Sequence, residues 1–153
     1  MSDGAAALGA ARPGDLEQLV ELLGLLFEDE EEFAPDADKQ RRALQAILAD
    51  PGVGRTFVAR EGERIVAMAS LLYTVSTAEG GRAALLEDLV VVPERRGKGI
   101  GAALLRHVID SARQEGLTKI TLLTDRGNKR AQALYRKMGF VASTMTAMRL
   151  KLY

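Results

Sequence analysis

Cysteine is absent from the 153 residues, which excludes disulfides, thiolate metal sites and a cysteine nucleophile. An excess of charge is absent too. The 21 basic and 21 acidic residues cancel to a formal net charge of zero, so nothing global points to nucleic acid or an anionic membrane as partner. No apolar run approaches the roughly 18 residues of a membrane span. The opening residues Ser2 and Asp3 lead into a short Ala/Gly-rich stretch, without the basic and apolar regions of a secretory signal. A cytoplasmic protein is expected. The single histidine, His107, falls in a helical pattern with no second ligand type nearby; it reads as a surface or packing residue, and no metal site is expected. Repeats and low-complexity tracts are also missing. With 47% hydrophobic and 27% charged residues, residues 1–153 are expected to form one globular domain around one core.

What is present is a change of period along the chain. Residues 6–12 can form a short first strand. Pro13-Gly14-Asp15 starts a helix, with Asp15 as a cap, and Leu16, Leu19, Val20, Leu23 and Leu26 or Phe27 recur at helical spacing. The acidic run Glu28 to Glu32 ends it. Asp36 or Asp38 caps a second helix through Ala49, broken by Asp50-Pro51-Gly52. Strands follow at 56–60 and 64–73 around the turn Glu61-Gly62-Glu63, and the polar stretch 74–82 reads as a loop. A strand at 83–92 is apolar enough to be central. Then come a helix from about Gly99 to Glu115, a strand at 119–124, a helix from Asn128 to Met138 closed by Gly139, and a strand at 140–152. The order β-α-α-β-β-β-α-β-α-β describes an α/β fold with a mixed sheet flanked by helices.

The densest signal is Arg96-Gly97-Lys98-Gly99-Ile100-Gly101, where the central strand gives way to a helix. Glycine removes Cβ atoms, so backbone N–H groups can turn toward an anion. The helix start adds free N–H groups and the positive end of its dipole. Arg95, Arg96 and Lys98 surround the loop with charge. The pattern reads as a cradle for a pyrophosphate. A Walker A loop requires Ser or Thr after Gly-Lys, and Gly99 stands there instead. A dinucleotide fingerprint forced from Gly97, Gly99 and Ala102, with Asp125 on the ribose, fails because Pro93-Glu94-Arg95-Arg96 separates the strand from the glycines.

A third pattern fits better. Arg96, Gly99 and Gly101 meet an Arg/Gln-x-x-Gly-x-Gly/Ala core, and Asn128, Ala131, Tyr135 and Gly139-Phe140 meet a second block, Asn-x-x-Ala-x-x-x-Tyr-x-x-x-Gly-Phe. In both blocks and in element order the chain resembles the GNAT family of N-acetyltransferases, and the segment Glu87-Asp88-Leu89-Val90-Val91 looks most like its small-molecule amine branch, glucosamine-phosphate acetyltransferases included. The resemblance implies acetyl-CoA as co-substrate, with the glycine loop on its pyrophosphate. It implies that Leu89, Val90 and Val91 offer backbone to the pantetheine arm, and that an N–H there polarises the thioester carbonyl. Arg95, Arg96, Gly97, Lys98, Gly99, Ile100 and Gly101 would complete the cofactor contacts, while Asn128 caps a helix, contacts the cofactor, or does both.

A primary amine titrates near ~10.4, so transfer to it requires a base. Glu87 and Asp88 are the candidates. Adjacent strand residues face opposite sides unless a bulge intervenes, so one of them is expected to serve, with Glu87 preferred, and the other to be a partner for an Arg or a backbone N–H. The resemblance makes Tyr135 the general acid for the leaving thiolate; otherwise it packs beside Leu134 and Met138. Asp125 caps a turn or faces the acceptor. The acidic run 28–32 is a solvated helix end or an acidic rim attracting a cationic amine. Acceptor specificity is expected in segments 24–40, 74–82 and 142–147, which carry no motif naming a substrate. Methionines clustered between Met138 and Met148 read as core or dimer filler, and a homodimer is the family habit. The leading expectation is acetyl transfer to a small-molecule amine. The alternatives are a protein or peptide N-acetyltransferase, a non-catalytic acyl-CoA-binding module and, in another class, a dinucleotide oxidoreductase.

Overall fold

The computed structural model describes residues 6–30 and 32–153; the first five residues and Glu31 of the acidic run lie outside them. The chain divides into two compact units, one ending at Leu122 and one running from Leu123 to Tyr153. The first holds strands β1 (Ala7–Ala10), β2 (Gly54–Glu61), β3 (Arg64–Ser76), β4 (Gly81–Val91) and β5 (Ile120–Leu122), with helices α1 (Leu16–Glu28), α2 (Ala37–Ala49) and α3 (Ile100–Gln114). The second holds helix α4 (Lys129–Lys137). No helix among the described residues is long and apolar enough to cross a membrane.

The strands lie in chain order, β1-β2-β3-β4-β5, antiparallel except for the parallel pair β4–β5. The mixed α/β sheet read from the sequence is therefore present. Residues 65–71 of β3 are buried without alternation, the mark of a strand covered on both faces. Helices α1 and α2 pack on each other and on β2, β3 and β4, whereas α3 packs across β1 to β4, where His107 meets the edge of the Phe57 ring at 5.8 Å. Leu19, Leu44, Phe57, Ile65, Met68, Leu71, Leu104 and Leu105 are fully buried, each worth about 1.5–3 kcal/mol of apolar burial.

Two polar devices fix the helices on the sheet. Arg60 of β2 grips Asp15 with two hydrogen bonds of 2.9 and 2.8 Å, and the Arg12 N–H donates to the same carboxylate at 2.8 Å. Asp15 thus ties the start of α1 to the sheet and forms no side-chain cap on the helix, contrary to expectation. The Arg60 hydrogen bonds hold its carboxyl below the usual range. At the far end of α3, Glu115 accepts from the Tyr73 hydroxyl at 2.6 Å and lies 3.5 Å from Arg55. Burial and that carboxylate push the Tyr73 phenol up to about 12.

Three expectations are corrected. The loop expected at 74–82 is a hairpin: Thr74, Val75 and Ser76 pair with Ala83, Arg82 and Gly81, and Gly80, at φ 75°, closes the turn. A ladder needs only backbone groups, so polar side chains continue it beyond the core. The strand expected at 119–124 is reduced to Ile120–Leu122. The strand expected at 140–152 does not form; the segment has apolar residues at strand-like spacing but no ladder partner to hold it.

Candidate active site

Strand β4 carries the site because its ladder breaks. Val90 pairs with Met68 and Glu87 with Ser70, so Asp88 and Leu89 together stand opposite Ala69 alone. This is a β-bulge. Asp88 takes up the extra residue in the left-handed region at φ 60°, the one non-glycine residue with positive φ among those described. Such a conformation costs about 1 kcal/mol or more for a residue with a Cβ. The bulge also cancels the strand alternation, and Glu87 and Asp88 line the same cleft.

That cleft has a volume of about 290 Å³, at the small end of the ~300–1,000 Å³ typical of ligand sites. Leu23 and Phe27 of α1 face Ala43, Leu44 and Ile47 of α2 across it, with Lys39 and Gln40 on its wall. Asp88 is where its chemistry concentrates. Burial first, then the negative charges of Glu87 and Glu30, push its carboxyl up to about 7. The expectation that Glu87 would be the preferred carboxylate gains nothing from this geometry, since the strained backbone and the displaced pKa both belong to its neighbour.

Beyond Leu86, β4 outruns β5. Residues 87–91 keep β3 on one side and have no ladder partner on the other among the described residues. Val92 N–H donates to Val66 on the β3 side, so the backbone groups of Val91 point to the open side. There the Val91 carbonyl accepts from Arg96 Nε at 2.9 Å. A 3-10 turn, Pro93–Arg95, then leads into the glycine loop. Gly97 and Gly99 have φ 77° and 84°, and Gly99 is the N-cap of α3 with no side-chain cap bond. The first-turn N–H groups of α3 are left to receive an anion. A Cβ on Gly101 would lie 3.4 Å from a Val91 methyl, so the helix starts close against the strand end.

The cationic complement is more committed than expected. Arg95 donates to both oxygens of Glu61, at 2.8 and 3.1 Å. Besides holding Val91, Arg96 lies 3.9 Å from Asp29 of the acidic run. Lys98 and Ile100 are placed in and after the loop as expected, Lys98 exposed.

In the second unit, Asn128 Oδ1 accepts from the Ala131 N–H at 3.1 Å and caps α4. Asp125 closes the preceding turn through its backbone carbonyl, which accepts from Asn128. At the other end Gly139 has φ 104°, the Phe140 N–H returns to the Tyr135 carbonyl at 3.0 Å, and the Tyr135 and Phe140 rings meet edge to face at 5.8 Å. That bond and its accompanying contact form a Schellman closure. It gives Tyr135, Gly139 and Phe140 at this spacing a structural role, and it fixes Tyr135 on the last turn of the helix. Burial raises the Tyr135 phenol above its ordinary value.

Of the cleft walls, Phe27, Lys39 and Gln40 fall in the 24–40 segment expected to set specificity, whereas Leu23, Ala43, Leu44 and Ile47 lie outside it. The signal of the walls is the stripe Lys39, Gln40, Ala43, Leu44 and Ile47 on α2, with Leu23 and Phe27 on α1, both at helical spacing.

Comparison with known proteins agrees with this geometry. Residues 16–140 match the acetyltransferase (GNAT) family. A streptothricin acetyltransferase from Streptomyces lavendulae is 32% identical over 153 residues, covering 86% of this chain and 79% of the relative. A glucosamine 6-phosphate N-acetyltransferase from Trypanosoma brucei brucei is 36% identical over 133 residues, covering 84% of each. The crystal structure of a Trypanosoma brucei acetyltransferase superposes with a TM-score of 0.74 at 30% identity, covering 95% of this chain and 99% of that one. The chain belongs to the GNAT family and is an N-acetyltransferase.

Proposed function

We propose that the chain transfers the acetyl group of acetyl-CoA to a primary amine of a small molecule, by direct attack while both substrates are bound. The observation that carries this reading is Asp88: a carboxylate kept in a strained left-handed bulge, on a small cleft, with its pKa near neutrality. Such a group is suited to take a proton from an ammonium at working pH. The cleft's size favours a small acceptor over a peptide. The streptothricin and glucosamine 6-phosphate enzymes among the relatives support the same substrate class. Because the family match runs from residue 16 to residue 140 across both compact units, we read residues 1–153 as one domain.

The residues present fit the co-substrate. The uncapped first turn of α3, the left-handed Gly97 and Gly99 and exposed Lys98 are suited to a pyrophosphate. The open side of β4 between Glu87 and Val91 offers backbone groups to an amide-bearing arm. Bound there, acetyl-CoA supplies an activated acyl group as a thioester. A backbone N–H in the Leu89–Val91 segment then serves the carbonyl oxygen as it gains charge. The C–N bond forms, the C–S bond breaks, the amine proton passes to Asp88, and the thiolate is reprotonated. Tyr135 is the proposed donor, since its raised pKa keeps the phenol protonated across the working range. Glu87 shapes the field around Asp88.

Calorimetric titration with acetyl-CoA, with NADH as control, tests the cradle. Binding of acetyl-CoA and silence with NADH are expected. Thiol release from acetyl-CoA in the presence of small amines tests the transfer. Absence of acetyl-CoA binding would overturn the reading.

A further inference from the structure

Resting on that transferase reading, we infer that Arg96 is a lock on the co-substrate's strand edge: its guanidinium covers the Val91 carbonyl until a diphosphate draws it off. The lock makes the chain select a thioester that carries the diphosphate over the same amide-bearing arm without one.

The covering contact is direct. Residues 87–91 of β4 have no ladder partner on their open side among the described residues, and the Val91 backbone groups point there. Arg96 Nε donates to the Val91 carbonyl at 2.9 Å, so the guanidinium stands on that open side. The carbonyl keeps a second lone pair, yet an arm laid along the edge would still meet the side chain resting on it. The other end of the guanidinium leans toward the end of α1, with Nη2 3.9 Å from Asp29 Oδ2.

The neighbouring arginine is committed in a way that Arg96 is not. Arg95 donates to both oxygens of the Glu61 carboxylate, at 2.8 and 3.1 Å. Arg96 has one neutral acceptor and one distant, exposed carboxylate. A hydrogen bond to a carbonyl is weaker than a charge-assisted, bidentate hold on phosphate oxygens. Arg96 also stands directly before the left-handed Gly97 and three residues before Gly99, the N-cap of α3, where the diphosphate is proposed to sit. Exchange of partners therefore runs toward the diphosphate. One move of one side chain gains a phosphate contact and bares the Val91 carbonyl for the arm.

Calorimetry with acetyl-CoA and with acetyl-pantetheine, which has the arm and no phosphate, tests the lock in the native protein and in two variants. Arg96→Met should bind acetyl-CoA about 10–100-fold more weakly, through loss of a charge-assisted contact. The same variant should bind acetyl-pantetheine about 3–10-fold more tightly, since one neutral hydrogen bond no longer has to be broken. A misfolded variant cannot gain affinity. Asp29→Asn, which loosens the lock and spares the phosphate contact, should bind both ligands about two- to threefold more tightly. Inorganic pyrophosphate should raise acetyl-pantetheine affinity about 3–10-fold in the native protein and leave Arg96→Met unaffected. Acetyl-pantetheine binding that is no tighter in Arg96→Met, or undetectable in both proteins, overturns the lock and leaves the transferase reading standing. So does a pyrophosphate effect that is missing from the native protein or that survives in Arg96→Met. No gain for either ligand in Asp29→Asn overturns the part assigned to Asp29. Failure of the native protein to bind acetyl-CoA takes down the lock and the transferase reading together.

Discussion

Two short left-handed segments flank the end of β4, and in the proposed mechanism they solve opposite electrostatic problems. At Gly97 and Gly99 the chain turns through φ 77° and 84° to aim N–H groups at an anion; glycine does this at no steric cost and no side chain is needed. At Asp88 the chain turns through φ 60° with a Cβ in place. Glycine would be more comfortable there. A strained residue whose carboxyl is also destabilised by burial and by two like charges is what the proposed base role of this side chain asks for. In the proposed mechanism the backbone is the functional group of the loop, and the carboxylate that of the bulge.

The sharpest way to break this contrast is at the bulge. Asp88→Asn should lower kcat by about 10²–10⁴-fold, the usual range for a general base, while acetyl-CoA affinity stays unchanged. Its effect on stability runs the other way. The Asp88 pKa rises from 3.8 to about 7 on folding, so below pH 3.8 the carboxyl is neutral in both states and costs nothing. Between there and pH 7 the unfolded chain ionises while the folded one resists, and the penalty is complete above 7. Asp88→Asn should therefore stabilise the protein by about 2 kcal/mol at pH 8, discounted for partial exposure, and hardly at all at pH 3.5. Chemical denaturation at the two pH values checks it.

At the loop, Gly99→Asp should weaken acetyl-CoA binding by about 100-fold, the loss of roughly two charge-assisted contacts, with stability falling by about 1–2 kcal/mol from the backbone strain of a Cβ at φ 84°, no atom lying within 4 Å to add a clash. Calorimetry and thermal melting separate the two effects. Tyr135→Phe should reduce kcat by about 10–100-fold without changing acetyl-CoA affinity. It should also leave helix α4 closed, because the Schellman bond uses the backbone of residue 135. Glu87→Gln should have the smallest effect, within about tenfold in kcat, and should lower the pH at which Asp88 ionises by removing a like charge.

What could be read from the sequence follows the same division. The glycine loop was legible because its geometry is written as missing side chains at fixed spacing. The Tyr135 to Phe140 block was legible because a helix closure is local. The bulge was not, since Asp carries no conformational signature as plain as glycine's and the register break with Ala69 is set across two strands. For the same reason Glu87 and Asp88 were expected to face opposite ways, yet both line the cleft. The cleft itself joins α1, α2 and β4, three elements far apart in sequence, and each apolar stripe alone reads only as core. The 74–82 hairpin and the missing strand at 140–152 fail in opposite senses. A ladder can form without an apolar pattern, and an apolar pattern cannot make a strand without a partner.

The central claim, that Asp88 takes the amine proton, is tested most directly by the pH dependence of kcat/KM in the native protein and in Asp88→Asn. The native profile should rise and then level near pH 7. The variant should lose that break and continue to rise toward the amine's own pKa of ~10.4. An identical break near 7 in both proteins would contradict the assignment and place the base elsewhere.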